Sequence, residues 1–290
     1  MTVRVFEDGP VGSANFFFNA ASAGSEKAYW DAVGIFHNHL PALVDQSGIV
    51  LSYSVSKDTF ILYTMTAPNR TESEVVAILN PLFSELETIG LSLQTMAFNA
   101  SESPTYSAYY SGSLEPVLAV SPISPVAGDR FISRGNMASN PAGILKGFQD
   151  VTASGNFTLA CTALNVNKSH IVRPVAHNSA SPAWQDALAT CIIGSVWSWG
   201  QSWDLVLEQQ QQFEQRVLPA FEAATPGAGA YANEANFAQR DWQATFYGEN
   251  YPRLKELKAR YDPKGILYGV NSVGSEGWEL DKAGRLCRVG

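Results

Sequence analysis

Three phenols gather near the end of the 290-residue chain, at Tyr247, Tyr251 and Tyr268, with the carboxamides of Asn250 and Asn271 among them and the carboxyl of Glu234 upstream. A phenol donates a hydrogen bond, a carboxamide orients a carbonyl, and a carboxyl drawn out of bulk water moves a proton. Such a set could polarise a substrate carbonyl and shift a proton beside it. Each member also has an ordinary use: tyrosines cap cores with the hydroxyl outward, and Glu234 suits a helix start.

Sharper chemistries lack their residues. Gly227-Ala228-Gly229 follows a helical stretch, has no third glycine at the dinucleotide spacing and opens no βαβ unit, so it reads as a helix-ending turn. His37 and His39 diverge by about 200° on a helix and cannot hold one ion from one face. The sequence has no G-x-S-x-G elbow, no H-E-x-x-H and no Walker glycine loop.

Composition narrows the classes further. Hydrophobic residues make up 46% of the chain, enough for a sizeable core. Nineteen basic against 27 acidic residues give a net charge of −8, which disfavours a nucleic-acid partner. Cys161, Cys191 and Cys287 are too few and too far apart for a disulfide framework or a zinc site, though any single disulfide remains open. The opening MTVRVFEDGPVGSANFFF lacks the basic-then-apolar order of a secretory signal, and no stretch reaches membrane-spanning length. The expected location is cytoplasmic, where the sequons at Asn69, Asn99, Asn156 and Asn167 would carry no meaning.

The elements that must position the chemistry follow from periodicity. Tyr29, Trp30, Val33, Phe36 and Leu40 recur at helical spacing over 26–43. Residues 49–56 and 60–66 alternate with period two about Lys57-Asp58, predicting a β-hairpin. Thr71 and Glu74 form a capping box for a second helix striped by Val75, Ile78, Leu79, Leu82, Phe83 and Leu86. A proline- and serine-rich middle spans 101–128, and Asn140-Pro141 introduces a short helix. Buried strands are expected at 157–164 and 190–199, and a long helix from Trp203 to Ala223 ends at Pro226-Gly227. Near the C-terminus Pro252 suits a helix start, and Asp262-Pro263 with Gly265 stops that helix. The expected class is α+β: a mixed, largely antiparallel sheet covered by helices on one face.

Asn233-Glu234-Ala235-Asn236, Asp241-Trp242, Phe246-Tyr247-Gly248, Asn250-Tyr251, Arg253-Leu254 and Tyr261-Asp262-Pro263 resemble, in order, the berberine-bridge-type C-terminal segment of fungal FAD-linked oxidoreductases. Val273-Gly274-Ser275-Glu276 with Trp278, and Gly284-Arg285-Leu286-Cys287, are similar to the closing residues of the same family. Asn178-Ser179 with Pro182-Ala183-Trp184 and Asp186-Ala187-Leu188 resembles its substrate-domain stretch, with Gln185 where arginine is usual. The opening MTVRVFEDGP resembles the strand that leaves the family's flavin-binding domain.

The resemblance implies a substrate half, with 1–225 as a substrate-domain-like α+β region and 226–290 as a berberine-bridge-like helical segment. About two hundred residues holding the flavin's phosphates would precede it in the family, and a chain of this size cannot conceal them. Tyr251, Asn250 and Glu234 are the expected catalytic groups. Tyr247, Tyr268, Asn271 and His177, the histidine beside Asn178, are the expected substrate contacts. In the family, catalytic side chains project from the substrate-domain sheet, yet Asn165 and Asn167 after the 157–164 strand offer no carboxylate.

The expected function is a cofactor-free isomerase or pericyclase-like cyclase acting on a small, apolar polyene- or polyketide-like intermediate. No cofactor, nucleic acid or membrane is expected, and a homodimer is. The alternatives are a substrate-domain fragment of an FAD-dependent oxidase, which would use FAD, and a non-catalytic subunit of a full-length homologue.

Overall fold

Along Val50–Val55 (β2), Leu51, Tyr53 and Val55 are buried while Val50, Ser52 and Ser54 stay half exposed. This strand period of two sorts one sheet face towards a core and the other away from it. The computed structural model describes residues 7–46, 48–116, 126–170, 178–195, 198 and 200–289. In chain order the other strands are Val11–Asn19 (β1), Thr59–Pro68 (β3), Asn99–Ser103 (β4), Ala127–Ser133 (β5), Phe157–Ala163 (β6) and Ala187–Ser195 (β7). They form one sheet in the order β4-β1-β3-β2-β6-β7-β5, and every neighbouring pair is antiparallel.

The expected hairpin is β2 with β3, and the expected capping box is present, with Thr71 accepting from the Glu74 N–H and Glu74 accepting from the Thr71 N–H. Three further strands, β1, β4 and β5, were not anticipated from the sequence. The strand expected at 190–199 starts at Ala187 and runs to Ser195, and part of 196–199 lies outside the described residues.

Helices cover one face. Glu26–Val44 (α1), capped by Ser25, and Glu72–Thr88 (α2) bury apolar stripes against β1, β2 and β3. Phe18 stacks on Phe60 at 4.8 Å, Phe36 meets Phe60 at 4.7 Å, and Phe36 meets Tyr53 edge-on at 5.0 Å. These rings are fully dry, and offset or edge contacts of this kind add to their burial. Tyr106–Tyr109 (α3) and Arg134–Ser139 (α4) are short. Pro141–Thr152 (α5), capped by Asn140, lies against Leu218–Ala224 (α7), where Phe148 meets Phe221 at 5.5 Å.

The long helix expected from Trp203 is Trp203–Gln212 (α6) joined to α7 through a wider turn at Phe213–Val217, which turns Phe213 inward against Phe157. Cys161 and Cys191, directly opposed across β6 and β7, are joined by a disulfide with a sequence separation of 30. Closing a loop of that length restricts the unfolded chain by about 4 kcal/mol. No helix among the described residues is long and apolar enough to cross a membrane.

The C-terminal segment is built differently. Tyr251–Tyr261 (α8) precedes a small hairpin of Trp278–Leu280 (β8) and Leu286–Arg288 (β9), and from Tyr247 to Val289 no residue is buried. Ion pairs and hydrogen bonds hold it instead, with Lys258 on Asp262 and Asp262 accepting the N–H groups of Ile266 and Leu267.

His37 on α1 is buried beneath the sheet, where its Nδ1–H donates to the Val33 carbonyl at 2.8 Å and its Nε2 accepts from the Tyr53 hydroxyl at 3.1 Å. Burial pulls its pKa down to about 4 from 6.5. The folded state therefore resists a proton that the unfolded chain accepts, so stability is retained above the unfolded pKa and lost as pH falls towards 4. Relative to His37→Gln, the wild type should lose about 3 kcal/mol of unfolding free energy between pH 7 and pH 4, measured by denaturant titration. A constant difference between the two proteins across that range would exclude the titration.

Candidate functional site

The sheet face opposite the helices is lined by Ser52 and Ser54 of β2, Ile61 and Tyr63 of β3, Ala160 and Thr162 of β6, and Thr190 and Ile192 of β7. These are the residues that alternate with the buried ones, so the pleat turns them together to one side. Ser54 donates to the Tyr63 hydroxyl at 3.1 Å, and Phe17 of β1 is 41% exposed. The open face is bounded at one side by Tyr109 of α3, whose hydroxyl lies 2.8 Å from Thr64 Oγ1 and 2.5 Å from Thr66 Oγ1. At the other side the chain around Gly229 runs along β5, accepting the Phe131 N–H at 2.9 Å. A Cβ on Gly229 would come within 2.7 Å of Ala183 Cβ and 2.9 Å of the Thr245 carbonyl oxygen, so this close approach requires glycine.

Beneath that crossing lies a carboxyl. Asp129 of β5 pairs opposite Ile192 and is 2% exposed, accepting from the Thr190 hydroxyl at 2.6 Å and from the Tyr231 N–H at 2.5 Å. Its neighbour Arg130 points to the opposite face, where the guanidinium donates to Thr225 Oγ1 at 3.1 Å and to the Thr225 carbonyl at 2.9 Å. Burial raises the Asp129 pKa to about 7, the charge of Glu234 adds to the rise, and the two hydrogen bonds oppose it. Glu234 is half-buried and is itself pushed upward by desolvation. Phe131 lies 4.4 Å from Trp184 and Trp184 lies 5.4 Å from Tyr231, giving the carboxyl an aromatic surround. A carboxyl raised to about 7 beside a second one pushed upward by burial can exchange protons with a ligand at modest cost.

The residues singled out by sequence divide into separate places. Tyr247 donates to the Asn271 carbonyl at 3.1 Å, and Tyr251 donates to Glu276 Oε2 at 2.5 Å while accepting the Gly274 N–H at 3.3 Å. Their rings lie 5.7 Å apart, with Trp242 edge-on to Tyr251 at 5.4 Å. Burial, helped by Glu276, raises the Tyr251 phenol to about 12. Asn271, at φ 57, donates to the Phe237 carbonyl at 2.8 Å, whereas Asn250 donates to the Ala180 carbonyl at 2.8 Å.

Tyr268 sits elsewhere, 40% exposed beside Trp278, and Glu234 belongs with Asp129. His177 lies outside the described residues. Asn165 and Asn167 serve structure, donating to Asp45 and to the Gln185 carbonyl. The sheet does carry a carboxyl, at Asp129, which sequence reasoning missed. Its only local signal is an acid inside the short apolar run AGDRFIS. No group of three metal-ligating side chains occurs among the described residues.

Asp129 favours its proton in the folded state, so its contribution to stability is present at acid pH and is lost as pH rises through about 7. Compared with Asp129→Asn, the wild type should lose about 4 kcal/mol between pH 4 and pH 8, opposite in sign to the His37 effect. Parallel denaturation of both proteins across that range measures it, and parallel stability curves would count against a proton held at this carboxyl.

A family model described as "Berberine and berberine like" matches residues 230–274, which include the Tyr231 and Glu234 turn and the Tyr247–Tyr251 cluster. The chain is 33% identical over 294 residues to the bifunctional decalin synthase calF of Penicillium decumbens, covering 100% of this chain and 50% of that protein. It is 32% identical over 301 residues to the FAD-linked oxidoreductase orf1 of Neocamarosporium betae, again covering 100% and 50%. The solved structure of the VAO-type flavoprotein MtVAO615 from Myceliophthora thermophila superposes with a TM-score of 0.86 at 29% identity, covering 99% of this chain and 51% of that one. The chain thus spans about half the length of the curated relatives it matches. Sequence and fold together identify it as the berberine-bridge-like, C-terminal portion of the fungal FAD-linked oxidoreductases.

Proposed function

We propose that this chain holds an extended, apolar polyene- or polyketide-like intermediate on the open sheet face and promotes a redox-neutral ring closure or double-bond shift. The observation that carries this reading is the face itself: hydroxyls and apolar side chains in the middle, and the Asp129 and Glu234 carboxyls at one border. The relative named a decalin synthase supports the substrate class, since a decalin is a fused pair of rings made by ring closure. Immobilising a flexible chain in a near-reactive conformer can supply roughly 7–11 kcal/mol in favourable intramolecular cases.

FAD would need donors for its pyrophosphate. The strand residues facing the open side include no lysine or arginine, and the basic Arg130 is turned away and held by Thr225. The described strand residues on this face thus suit a flat apolar ligand and offer no phosphate donors, and in this reading the steps are assigned to this chain's own groups. In this reading Glu234 moves the proton. Tyr251 and Asn250 donate to a substrate oxygen, the phenol exchanging its bond to Glu276 for that oxygen, while Tyr247 and Asn271, which share the Tyr251 cluster, contact the substrate. A second reading, the substrate half of an FAD-dependent oxidase, is favoured by the relatives' names and by the half-length match.

Incubating the pathway intermediate with the purified chain under nitrogen, and following mass, separates the readings. The expected product has the mass of the substrate. A product lighter by two hydrogens, or an absorption band near 450 nm in the protein, points to the oxidase. Unchanged conversion with the protein present leaves a binding subunit. Tyr251→Phe should lower the rate about fivefold, since one lost donor in a half-exposed position costs on the order of 1 kcal/mol. Glu234→Gln should abolish a proton-dependent double-bond shift and spare a purely conformational ring closure.

The C-terminal segment supports a homodimer as part of the same proposal. Ile266 and Leu267 are 75% exposed and Val270 62% exposed, on a segment with no buried residue. An isologous contact would cover that patch twice. Sedimentation velocity should give a dimer that Ile266→Asp with Leu267→Asp converts to monomer; a monomer at all concentrations would remove the idea.

A further inference from the structure

The Cys161–Cys191 bond and the placement of the sequons point the same way. The two cysteines face the helix layer on interior strands of the sheet, 3% and 0% exposed, opposite each other in the β6–β7 register. A disulfide so placed closes while the sheet forms and is afterwards sealed from soluble reductants. Bonds of this structural kind form in oxidising compartments and are rare where glutathione and thioredoxin keep thiols reduced. The oxidising route is also the one on which Asn-X-Ser/Thr sites meet the glycosylation machinery.

The four sequons are not equivalent in the fold. Asn69, in Asn69-Arg70-Thr71, stands in the left-handed region at φ 58 on the turn between β3 and α2, and it is exposed. Asn99, in Asn99-Ala100-Ser101, is the exposed first residue of β4, an edge of the sheet. Asn156, in Asn156-Phe157-Thr158, is the exposed residue just before β6. None of these three carboxamides makes a side-chain hydrogen bond among the described residues.

Asn167 differs. It is half-buried, its Nδ2 donates to the Gln185 carbonyl at 2.7 Å, and its Oδ1 accepts from the Ser169 N–H at 2.9 Å and the Ser169 hydroxyl at 2.7 Å. A sugar on that nitrogen would crowd the turn that these bonds close. Three sites therefore stand on exposed residues with an unbonded carboxamide, Asn69 with its Oδ1 against Gly9, and the fourth builds its carboxamide into the fold.

We infer that this chain matures as an N-glycoprotein in the secretory pathway, with glycans on Asn69, Asn99 and Asn156, none on Asn167, and the Cys161–Cys191 bond closed. The glycan class is the asparagine-linked oligosaccharide. Asn69 and Asn156 lie at opposite ends of the strands, since β3 runs towards its Val11↔Pro68 pairing while β6 starts beside the β2–β3 turn. The glycan at Asn99 would shield the free edge of β4 from pairing with other chains. This reading stands apart from the proposed chemistry, and it is the alternative to the cytoplasmic expectation.

The test uses the protein purified from the cells that make it. Enzymatic release of N-glycans in heavy-oxygen water converts each occupied asparagine to labelled aspartate, and peptide mapping then reads the four sites. The expected result is label at Asn69, Asn99 and Asn156, an unlabelled Asn167, and Cys161 and Cys191 peptides joined until reduction. Each of Asn69→Gln, Asn99→Gln and Asn156→Gln, expressed in the same cells, should remove one glycan's mass from the intact protein. Unlabelled asparagines at all three sites, or both cysteines alkylated in denaturant without reductant, would overturn the inference. A glycan on Asn167 would overturn the site assignment.

Discussion

One face of the seven-stranded sheet has to stay dry while the other stays open, and the period-two alternation of β2, β3, β6 and β7 imposes that division. On the dry side, Phe16, Phe18, Tyr53 and Phe60 of the sheet interlock with Phe36 of α1, and a slip of one residue in β1, β2 or β3 would turn that strand's rings to the open face. The same register turns Ser54, Tyr63, Thr162 and Thr190 outward together. The open face is therefore a by-product of building the core, available for chemistry without added design.

Two buried ionisable groups show how that division shapes electrostatics. His37 beneath the sheet and Asp129 on its far side both meet desolvation, which drives each towards its neutral form. One is base and the other acid, so over the same acidic range they act on stability with opposite signs. The intact protein then has a flatter response to pH than either group alone would give it.

Much of the dry side was legible in the sequence. The capping box at Thr71, the stripe from Val75 to Leu86 and the alternation about Lys57-Asp58 are local patterns, and local patterns survive in a one-dimensional reading. β1 was hidden because Phe16, Phe17 and Phe18 run together and mask the alternation that buries the first and third and exposes the second. β4 was hidden because NASES is polar throughout, as an edge strand can be. Asp129 was invisible as a site because its partners Thr190 and Tyr231 are 61 and 102 residues away. The Tyr247, Tyr251 and Asn271 group was chosen by residue type, but which oxygen receives each hydroxyl is fixed by the path of the chain between 247 and 276.

The segment from Tyr247 onward owes its order to a few directional bonds, with Tyr251 on Glu276, Tyr247 on Asn271 and Lys258 on Asp262. Directional bonds without apolar burial confer little cooperativity, so less free energy is expected to separate the closed and open forms of this segment than of the sheet. Anything that binds only its closed form draws the opening equilibrium shut by mass action. The segment therefore couples occupancy at the end of the chain to backbone order there, while the disulfide-stapled sheet beneath it keeps its shape in either state.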